Sequence, residues 1–328
     1  MKTKIFATFG PACGTEETLE EMIRAGMTGM RLNLSHTTLP ASEAYIRAYQ
    51  EAAEKVGVKP EILIDMQGPE LRVGVMPEPM MLEEGTIVVL GQGGVPVPKQ
   101  VIEAAALGDA ILLDDGKILV SVMEVGAEQV WARVLRGGLL RGRKSVKIQD
   151  KDVKMPVLTE HDIENIRLAN EYGVTALMQP FVLSGEDLAM VRKVLKENGA
   201  ENVKIFAKIE NRTGVKHLDE ILPEADVVII ARGDLGNDMP LWELPAVQKQ
   251  VEHACHEANK PYVVVTQMLA SMEEHSVPTR AEVSDIFHAV YCGAYGVMIT
   301  GETAVGKYPV EAVRYLANTA KSAELYHE

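Results

Sequence analysis

The sequence predicts an α/β protein: a (β/α)8 TIM barrel with a small β-rich domain inserted after its third strand. Two observations predict this fold. The first is that short apolar runs recur eight times along the 328 residues, with helical patterns between most of them. Such alternation is typical of a parallel sheet, and eight repeats favour a closed barrel. The runs lie at residues 4–10, 30–35, 61–66, 176–181, 204–209, 227–233, 262–267 and 296–301.

The helical patterns carry their own start and stop signals. Thr15 precedes Glu16, Glu17 and an apolar periodic stretch, and Gly26 follows that stretch. A threonine cap, an acidic first turn and a terminal glycine predict a helix that begins after Thr15 and ends at Gly26. An open doubly wound sheet is the alternative, because periodicity does not prove closure. The barrel is favoured because GPACGT, residues 10–15, is not a glycine-rich dinucleotide fingerprint.

The second observation is a break in this rhythm between the third and fourth apolar runs. The stretches TIVVLG, AILLDDGKILVSVMEV and QVWARVLRGG read as strands separated by turn signals. We therefore predict an inserted β domain over residues 70–156 and a barrel domain over residues 1–69 and 157–328. The barrel then has about 240 residues, close to the usual ~250.

Composition excludes several classes of partner. The formal net charge of −14 disfavours nucleic acid and anionic membranes. The sequence contains no apolar run of the length that spans a membrane, and its N-terminus does not resemble a signal peptide. Cys13, Cys255 and Cys292 show no CxxC spacing. We therefore expect a cytoplasmic protein.

Polar side chains follow five or more of the predicted strands, at the barrel end where active sites are built. Glu210 and Asp234 offer oxygen ligands suited to Mg²⁺ or Mn²⁺. Arg31, Arg72 and Lys208 supply positive charge for phosphoryl oxygens or an enolate. This set predicts a small phosphorylated carboxylate as the substrate, bound together with a divalent metal ion.

Short motifs follow one another along the chain: KTKIFATFGPAC, RLNLSH, DMQGPELRVG, LLDDG, KIEN, a GV downstream of it, ARGDLG, TQML-x-SM, PTRAEVSD and GETAVGKYPVEAV. Together they resemble the pyruvate kinase family, in the family's order and over almost the whole chain, most weakly over residues 75–110. One motif alone is a weak signal, but ten in order are specific. The family's barrel is interrupted after its third strand by a small β lid domain, in agreement with the predicted insertion.

The resemblance implies that phosphoenolpyruvate and ADP are the substrates and that Mg²⁺ (or Mn²⁺) and K⁺ are the cofactors. It also assigns roles to residues of this chain. The implied catalytic residues are Lys208, Arg31, Thr266 and Thr300. The implied substrate ligands are Lys208, Gly233, Asp234, Thr266 and Arg31, and the implied nucleotide ligands are Arg31, Arg72, Lys144 and Asp115. Mg²⁺ would be held by Glu210 and Asp234, and K⁺ by Asn33, Ser35, Asp65 and the Met66 carbonyl.

Two further expectations come from the resemblance. Glu70 stands where potassium-dependent members have glutamate and independent ones have lysine, so we predict dependence on K⁺. The chain ends at KSAELYHE, just after the last barrel helix, so we expect it to lack the family's C-terminal effector domain and the activation that this domain mediates. A homodimer through the barrel is expected.

Two other functions remain open from the sequence. One is a metal-dependent oxo-acid lyase or decarboxylase, which needs Glu210, Asp234 and Arg232 but neither the lid nor a K⁺ site. Retention of Lys144, Asp115 and Glu70 argues against it. The other is a non-catalytic paralogue, against which the intact site residues argue.

Overall fold

The computed structural model describes residues 2–35, 37–114, 116–149, 151, 153 and 155–327. The chain divides into two compact units. The first comprises Met1–Gly68 and Val157–Glu328, and the second comprises Pro69–Pro156.

Strands and helices follow one another in the first unit and give way to a mostly β segment in the second. Up to the insertion they are β1 (Lys4–Thr8), α1 (Glu16–Ala25), β2 (Gly29–Asn33), α2 (Glu43–Val56) and β3 (Ile62–Asp65). The second unit contains β4 (Met80–Leu82), β5 (Ile87–Gly91), α3 (Lys99–Ala104), β6 (Ala110–Leu113), β7 (Ile118–Val125), β8 (Gln129–Arg136), β9 (Gly138–Leu140) and β10 (Val146–Ile148).

The first unit resumes after the insertion and continues to the end of the described chain. Its elements are α4 (Glu160–Leu168), β11 (Ala176–Gln179), α5 (Gly185–Glu197), β12 (Lys204–Ile209), α6 (Arg212–Lys216), α7 (Leu218–Glu224), β13 (Val227–Ala231), α8 (Arg232–Asn237), α9 (Leu244–Glu257), β14 (Tyr262–Val265), α10 (Arg280–Tyr291), β15 (Gly296–Met298), α11 (Gly301–Ala304) and α12 (Pro309–His327). Short 3₁₀ helices occupy Pro11–Cys13, Pro40–Ser42 and Ala270–Glu273.

Within the described residues, eight parallel strands form a closed barrel in the order β1-β15-β14-β13-β12-β11-β3-β2. Closure is made by β1, which pairs with β2 on one side and with β15 on the other. The predicted barrel is therefore confirmed, and the open doubly wound alternative is wrong.

The barrel interior is filled by side chains, and Phe6 is the largest contribution from β1. Its ring meets Phe206 of β12 edge to face, with ring centroids 6.3 Å apart. Gly29 and Gly296 leave the room that Phe6 needs, because a Cβ on either would lie 2.9 Å from the ring. A larger apolar layer fills the space between the strands and the surrounding helices. Strands buried on both faces read as continuous apolar runs, which is why the sequence reveals them.

Helix α1 begins and ends where its sequence signals predict. The Thr15 side chain accepts a hydrogen bond from the Thr18 N–H, and Glu16 and Glu17 lie in the first turn. Gly26 ends the helix in the left-handed conformation, with φ of 119°. This φ favours glycine, because a Cβ makes the left-handed region costly. No described helix has the length and apolarity that a membrane crossing requires.

The second unit is mainly antiparallel. It consists of a five-stranded sheet in the order β10-β6-β7-β8-β5 and a pair formed by β4 and β9. The strands predicted from TIVVLG, AILLDDGKILVSVMEV and QVWARVLRGG are confirmed as β5, as β6 with β7, and as β8. Strands β4, β9 and β10 were not predicted, because three residues are too few for alternation to be recognised.

Asp162 joins the two segments of the first unit where the chain leaves for the insertion and returns from it. Its side chain is fully buried and caps α4 by accepting from Thr159 N at 2.9 Å. It also accepts from Gln67 N at 2.9 Å and Gly68 N at 3.2 Å, both directly after the third barrel strand. One carboxylate therefore fixes both ends of the interruption.

We predict that Asp162→Ala destabilises the chain by about 3 kcal/mol, since each buried donor left unpaired costs roughly 1–3 kcal/mol. Asp187→Ala is the matched control, because Asp187 caps α5 through Leu183 N and Ser184 N without a partner distant in sequence among its described hydrogen bonds. It should cost about 1 kcal/mol. Urea denaturation measures both. Equal losses would contradict the additional role assigned to Asp162.

Candidate functional site

A buried ion cluster lies at the carboxyl ends of the barrel strands. Asp65 ends β3, and its Oδ2 accepts from Arg31 Nε at 2.9 Å and Nη2 at 2.6 Å. Lys208 Nζ donates to Oδ1 of the same carboxylate at 3.1 Å. Burial alone would raise the pKa of Asp65, but the charges of Lys208 and Arg31 hold it below its ordinary value. Asp65 is therefore an anion that bridges two cations.

Lys208 also contacts the second carboxylate of its own strand. Lys208 and Glu210 are two residues apart on β12 and point to the same side, as the strand period predicts. Lys208 Nζ lies 2.9 Å from Glu210 Oε1. Burial would lower the pKa of Lys208, but Asp65 and Glu210 raise it above its ordinary value. The amine therefore stays charged although it is buried.

Glu210 is the least compensated member of the cluster. It is 1% exposed, and its Oε2 accepts from Phe181 N at 2.8 Å. Within the described residues, Oε1 has Lys208 at ion-pair distance but no donor aligned for a hydrogen bond. Burial, with repulsion from Asp234, raises the pKa of Glu210 to about 7, while Lys208 acts to lower it.

The charges of this cluster fit a divalent cation. When Glu210 is ionised, the three carboxylates of Asp65, Glu210 and Asp234 outnumber the two cations of Arg31 and Lys208. A cation placed against Glu210 and Asp234 would relieve their repulsion and stabilise the ionised form of Glu210. Among the described residues, however, no group of three acidic, histidine or cysteine side chains could complete a metal site. Substrate or water oxygens would supply the remaining ligands, as Mg²⁺ sites commonly require.

Asp234 lies at the same end of the barrel, just after strand β13. All five residues of β13 are buried, and α8 begins at the next residue, Arg232. Gly233 and Asp234 are therefore in the first helical turn. A Cβ on Gly233 would lie 3.1 Å from Thr266 Cγ2 and 3.5 Å from Thr266 Oγ1, so the Thr266 side chain lies beside this turn. Thr266 is distant from Asp234 in sequence, but the fold puts its side chain beside the turn that contains Asp234.

Thr300 lies at the carboxyl end of β15 and is tied to the β14 loop through Glu302. Glu302 is 1% exposed and accepts from Thr300 N at 2.6 Å and from Leu269 N at 3.0 Å. Its carboxylate thus fixes the loops that carry Thr300 and Thr266 relative to each other. The sequence showed Glu302 only as a polar residue after the eighth strand and did not reveal this bridge.

The residues expected to hold K⁺ also lie together, at the ends of β2 and β3. Asn33 is opposite Asp65 in the strand register, and its Oδ1 accepts from Ser35 N at 3.0 Å. Met66 follows Asp65 directly, and its N–H donates to Met178 O. The Asp65 carboxylate, however, is engaged by Arg31 and Lys208. A monovalent cation would share that carboxylate with both of them.

The second unit contains Arg72 and Lys144, two of the residues expected to bind the nucleotide. Arg72 Nη2 pairs with Glu70 Oε2 at 2.6 Å, and Arg72 Nη1 donates to Arg143 O at 2.8 Å. Lys144 pairs with Asp114 at 2.9 Å. Burial would raise the pKa of Asp114, but Lys144 holds it below its ordinary value. Asp115, the acidic residue expected to act here, lies outside the described residues.

Comparison with known proteins assigns the chain to a family. The family model described as pyruvate kinase, barrel domain, matches residues 1–313. The chain belongs to the pyruvate kinase family. It is 40% identical to a pyruvate kinase of Thermococcus litoralis over 100% of this chain and 70% of that protein. It is 40% identical to a pyruvate kinase of Aeropyrum pernix over 98% of this chain and 70% of that protein. It is 37% identical to a pyruvate kinase of Bacillus licheniformis over 98% of this chain and 57% of that protein.

The resemblance inferred from motifs is therefore confirmed, and the chain is a pyruvate kinase-type phosphotransferase. Two acidic residues of this family member were missed as structural partners of functional side chains. Asp114, with φ of 50°, holds Lys144, although the sequence pointed to its neighbour Asp115. Asp285 of α10 holds Arg232 by an ion pair of 2.8 Å. No sequence signal links residues from separate elements in this way.

We predict that Glu210→Gln raises the thermal unfolding midpoint of the metal-free protein at pH 8. The folded-state pKa of Glu210 is about 7, above its ordinary 4.5. Above pH 7 the ionised Glu210 therefore lowers the free energy of unfolding by its full amount. This loss shrinks as the pH falls from about 7 toward 4.5, because Glu210 becomes protonated in the folded state first. Scanning calorimetry across pH should show a gap between variant and wild type that closes in acid. Each kcal/mol corresponds to about 2–4 °C.

Glu302→Gln is the matched control, since it also neutralises a buried carboxylate at this end of the barrel. Glu302 accepts from two backbone N–H groups, so its neutralisation should lower the midpoint rather than raise it. A Glu210→Gln protein no more stable than wild type at pH 8 would contradict the imbalance described for Glu210.

Proposed function

We propose that this chain transfers the phosphoryl group of phosphoenolpyruvate to ADP, using the Asp65-centred cluster at the barrel end. The bond between phosphorus and the enol oxygen breaks, and a bond forms from phosphorus to a terminal oxygen of ADP. The enolate that remains takes one proton at its methylene carbon and becomes pyruvate. The observation that carries the proposal is the pair of buried cations, Arg31 and Lys208, held by Asp65 beside Glu210.

Arg31 and Lys208 would stabilise the charge that moves during transfer. Phosphoryl transfer depends mainly on positioning and on neutralising charge on the phosphoryl and leaving oxygens. Both cations are already oriented and largely withdrawn from water, with side chains 13% and 14% exposed. Fixed charges in such a site need little reorganisation when the reaction occurs. Lys208 would lie near the enolate oxygen, and Arg31 near the phosphoryl group.

Glu210 and Asp234 would hold Mg²⁺ or Mn²⁺. The buried oxygen of Glu210 that lacks an aligned donor supports this assignment. When bound, the ion would neutralise charge on substrate oxygens and help to orient them. Binding of the ion would favour the ionised form of Glu210, and the proton that Glu210 holds near neutral pH would leave as the ion binds.

The substrate carboxylate would be held by the backbone amides of Gly233 and Asp234 and by the Thr266 hydroxyl, which lies beside Gly233. Thr266, or a water molecule that it binds, and the Thr300 hydroxyl are our candidates for delivering the proton to the enolate. Thr300 Oγ1 lies 3.4 Å from Glu302 Oε2, a contact that orients the hydroxyl.

The residues that would contact the nucleotide are Arg31, Arg72, Lys144 and Asp115. Glu70 and Asp114 keep the two cationic side chains oriented until phosphates replace them as partners. We also propose a K⁺ site at Asn33, Ser35, Asp65 and the Met66 carbonyl. K⁺ there would add positive charge next to the cluster that receives an anionic substrate.

A homodimer through the barrel stays a prediction. Leu241 and Trp242, 70% and 82% exposed between α8 and α9, are apolar side chains suited to such a contact. The cytoplasm is the compartment we propose, and the free thiols of Cys13, Cys255 and Cys292 agree with a reducing environment.

We predict that the chain forms pyruvate from phosphoenolpyruvate and ADP with Mg²⁺, and that Lys208→Ala lowers kcat by about 10²–10³-fold, the usual effect of removing one oriented charge donor. Lys204→Ala is the matched control, because Lys204 is an exposed lysine at the opposite end of the same strand. It should leave turnover unchanged. A wild-type chain that folds, yet forms no pyruvate with any nucleoside diphosphate, would refute the proposal.

We further predict that turnover rises with K⁺ and that Glu70→Lys removes this dependence, because the ammonium group would supply the positive charge itself. The measurement is the ratio of kcat with K⁺ to kcat without it, which should approach unity in the variant. Glu70→Gln is the control, since it also breaks the Arg72 ion pair but adds no positive charge. If Glu70→Lys and Glu70→Gln showed the same ratio of kcat with and without K⁺, the charge of residue 70 would not explain the dependence on K⁺.

A further inference from the structure

The chain bends sharply after β14 through two non-glycine residues in the left-handed region. Thr266 has φ of 82° and Gln267 has φ of 55°. A β-branched residue at positive φ is a genuine outlier, because its Cβ substituents crowd the backbone. Such conformations persist only where neighbouring groups hold them, and they concentrate at functional sites. The bend places the Thr266 side chain beside Gly233.

Arg232 is the group that holds this bend. Its Nε and Nη2 donate to the Thr266 carbonyl oxygen at 3.2 and 2.7 Å. Its Nη2 also lies 2.9 Å from Met268 Sδ. On the other side, Nη1 donates to Asp285 of α10 at 2.9 Å. The Arg232 side chain is 13% exposed, so these bonds are largely shielded from water.

The orientation of Arg232 separates it from the cations that face the reaction. Arg31 and Lys208 point to carboxylates within the cluster, where substrate and metal would bind. The guanidinium of Arg232 is directed instead at the protein backbone and at a surrounding helix. Its contacts are therefore those of a support for Thr266 rather than of a substrate ligand.

We propose that Arg232 is a positioning residue that holds Thr266 in its left-handed conformation, and that Asp285 in turn holds Arg232. The inference rests on the proposed function, in which the Thr266 hydroxyl serves the substrate carboxylate or the proton transfer. Two parallel N–H donors fix one carbonyl oxygen while a third engages a carboxylate. Only a planar guanidinium provides that fork, so lysine should replace it poorly.

The test is a double-mutant cycle with Arg232→Gln and Thr266→Ala, assayed for kcat and KM. If Arg232 acts through Thr266, Arg232→Gln should change kcat and KM in the same way as Thr266→Ala does. The loss in kcat should be up to about 10²-fold, as misplacement of a reacting group can cause. The double variant should then be no slower than Thr266→Ala alone. Asp285→Asn should give a smaller loss of the same kind, and Arg232→Lys only partial rescue.

Arg192→Gln is the matched control, because Arg192 also bridges a carbonyl oxygen, that of Glu224, and a carboxylate, that of Asp226. These partners lie at the amino-terminal side of β13, and kcat should be unchanged. Losses that multiply in the double variant would overturn the proposal, because Arg232 would then act independently of Thr266.

A crystal structure of Arg232→Gln gives a second, independent answer. The proposal expects Thr266 to leave the left-handed region and its hydroxyl to move away from Gly233. An unchanged bend would overturn it whatever the kinetics show. If the wild-type chain formed no pyruvate, the proposed reaction would fail, whereas this structure would still decide whether Arg232 holds Thr266.

Discussion

The bridge that Asp65 forms between Arg31 and Lys208 is the interaction on which the barrel end depends. Two buried cations would repel each other and lose their hydration without this carboxylate. The bridge spans three strands, since β2 and β3 are neighbours and β12 is separated from β3 by β11. It therefore forms only when the segments before and after the insertion lie in one sheet. Lys208 in turn pairs with Glu210, which extends the cluster along the barrel end.

The same end of the barrel contains two features that oppose stability. Glu210 is buried with incomplete compensation, and Thr266 and Gln267 hold strained backbone conformations. Both are offset by the apolar layers inside and around the barrel, which give the strands little freedom to relax. A metal ion would relieve the first feature when it binds, whereas the second is held by Arg232. Functional sites commonly retain such costs because the activity requires the arrangement.

The sequence revealed particular elements well and others not at all. Helix α1 was predicted with its caps, because the capping signals act within a few residues of each other. Lys208 and Glu210 were predicted to share one side of β12, because strand period alone decides this. Strands β4, β9 and β10 were missed because they are short and take their form from pairing partners. Asp65 was expected beside K⁺, and its engagement with Arg31 and Lys208 depends on a fold that brings three strands together.

The sequence by itself determined the barrel, the insertion, the family and the identity of most polar side chains at the strand ends. These features depend on local periodicity and on motifs whose order along the chain is directly readable. Only the tertiary structure decided which charges neutralise one another, which carboxylate is least compensated, and that Arg232 donates to the Thr266 carbonyl oxygen instead of facing the cluster. Those outcomes depend on distances and burial between residues far apart in the chain, and these arise only when the barrel closes.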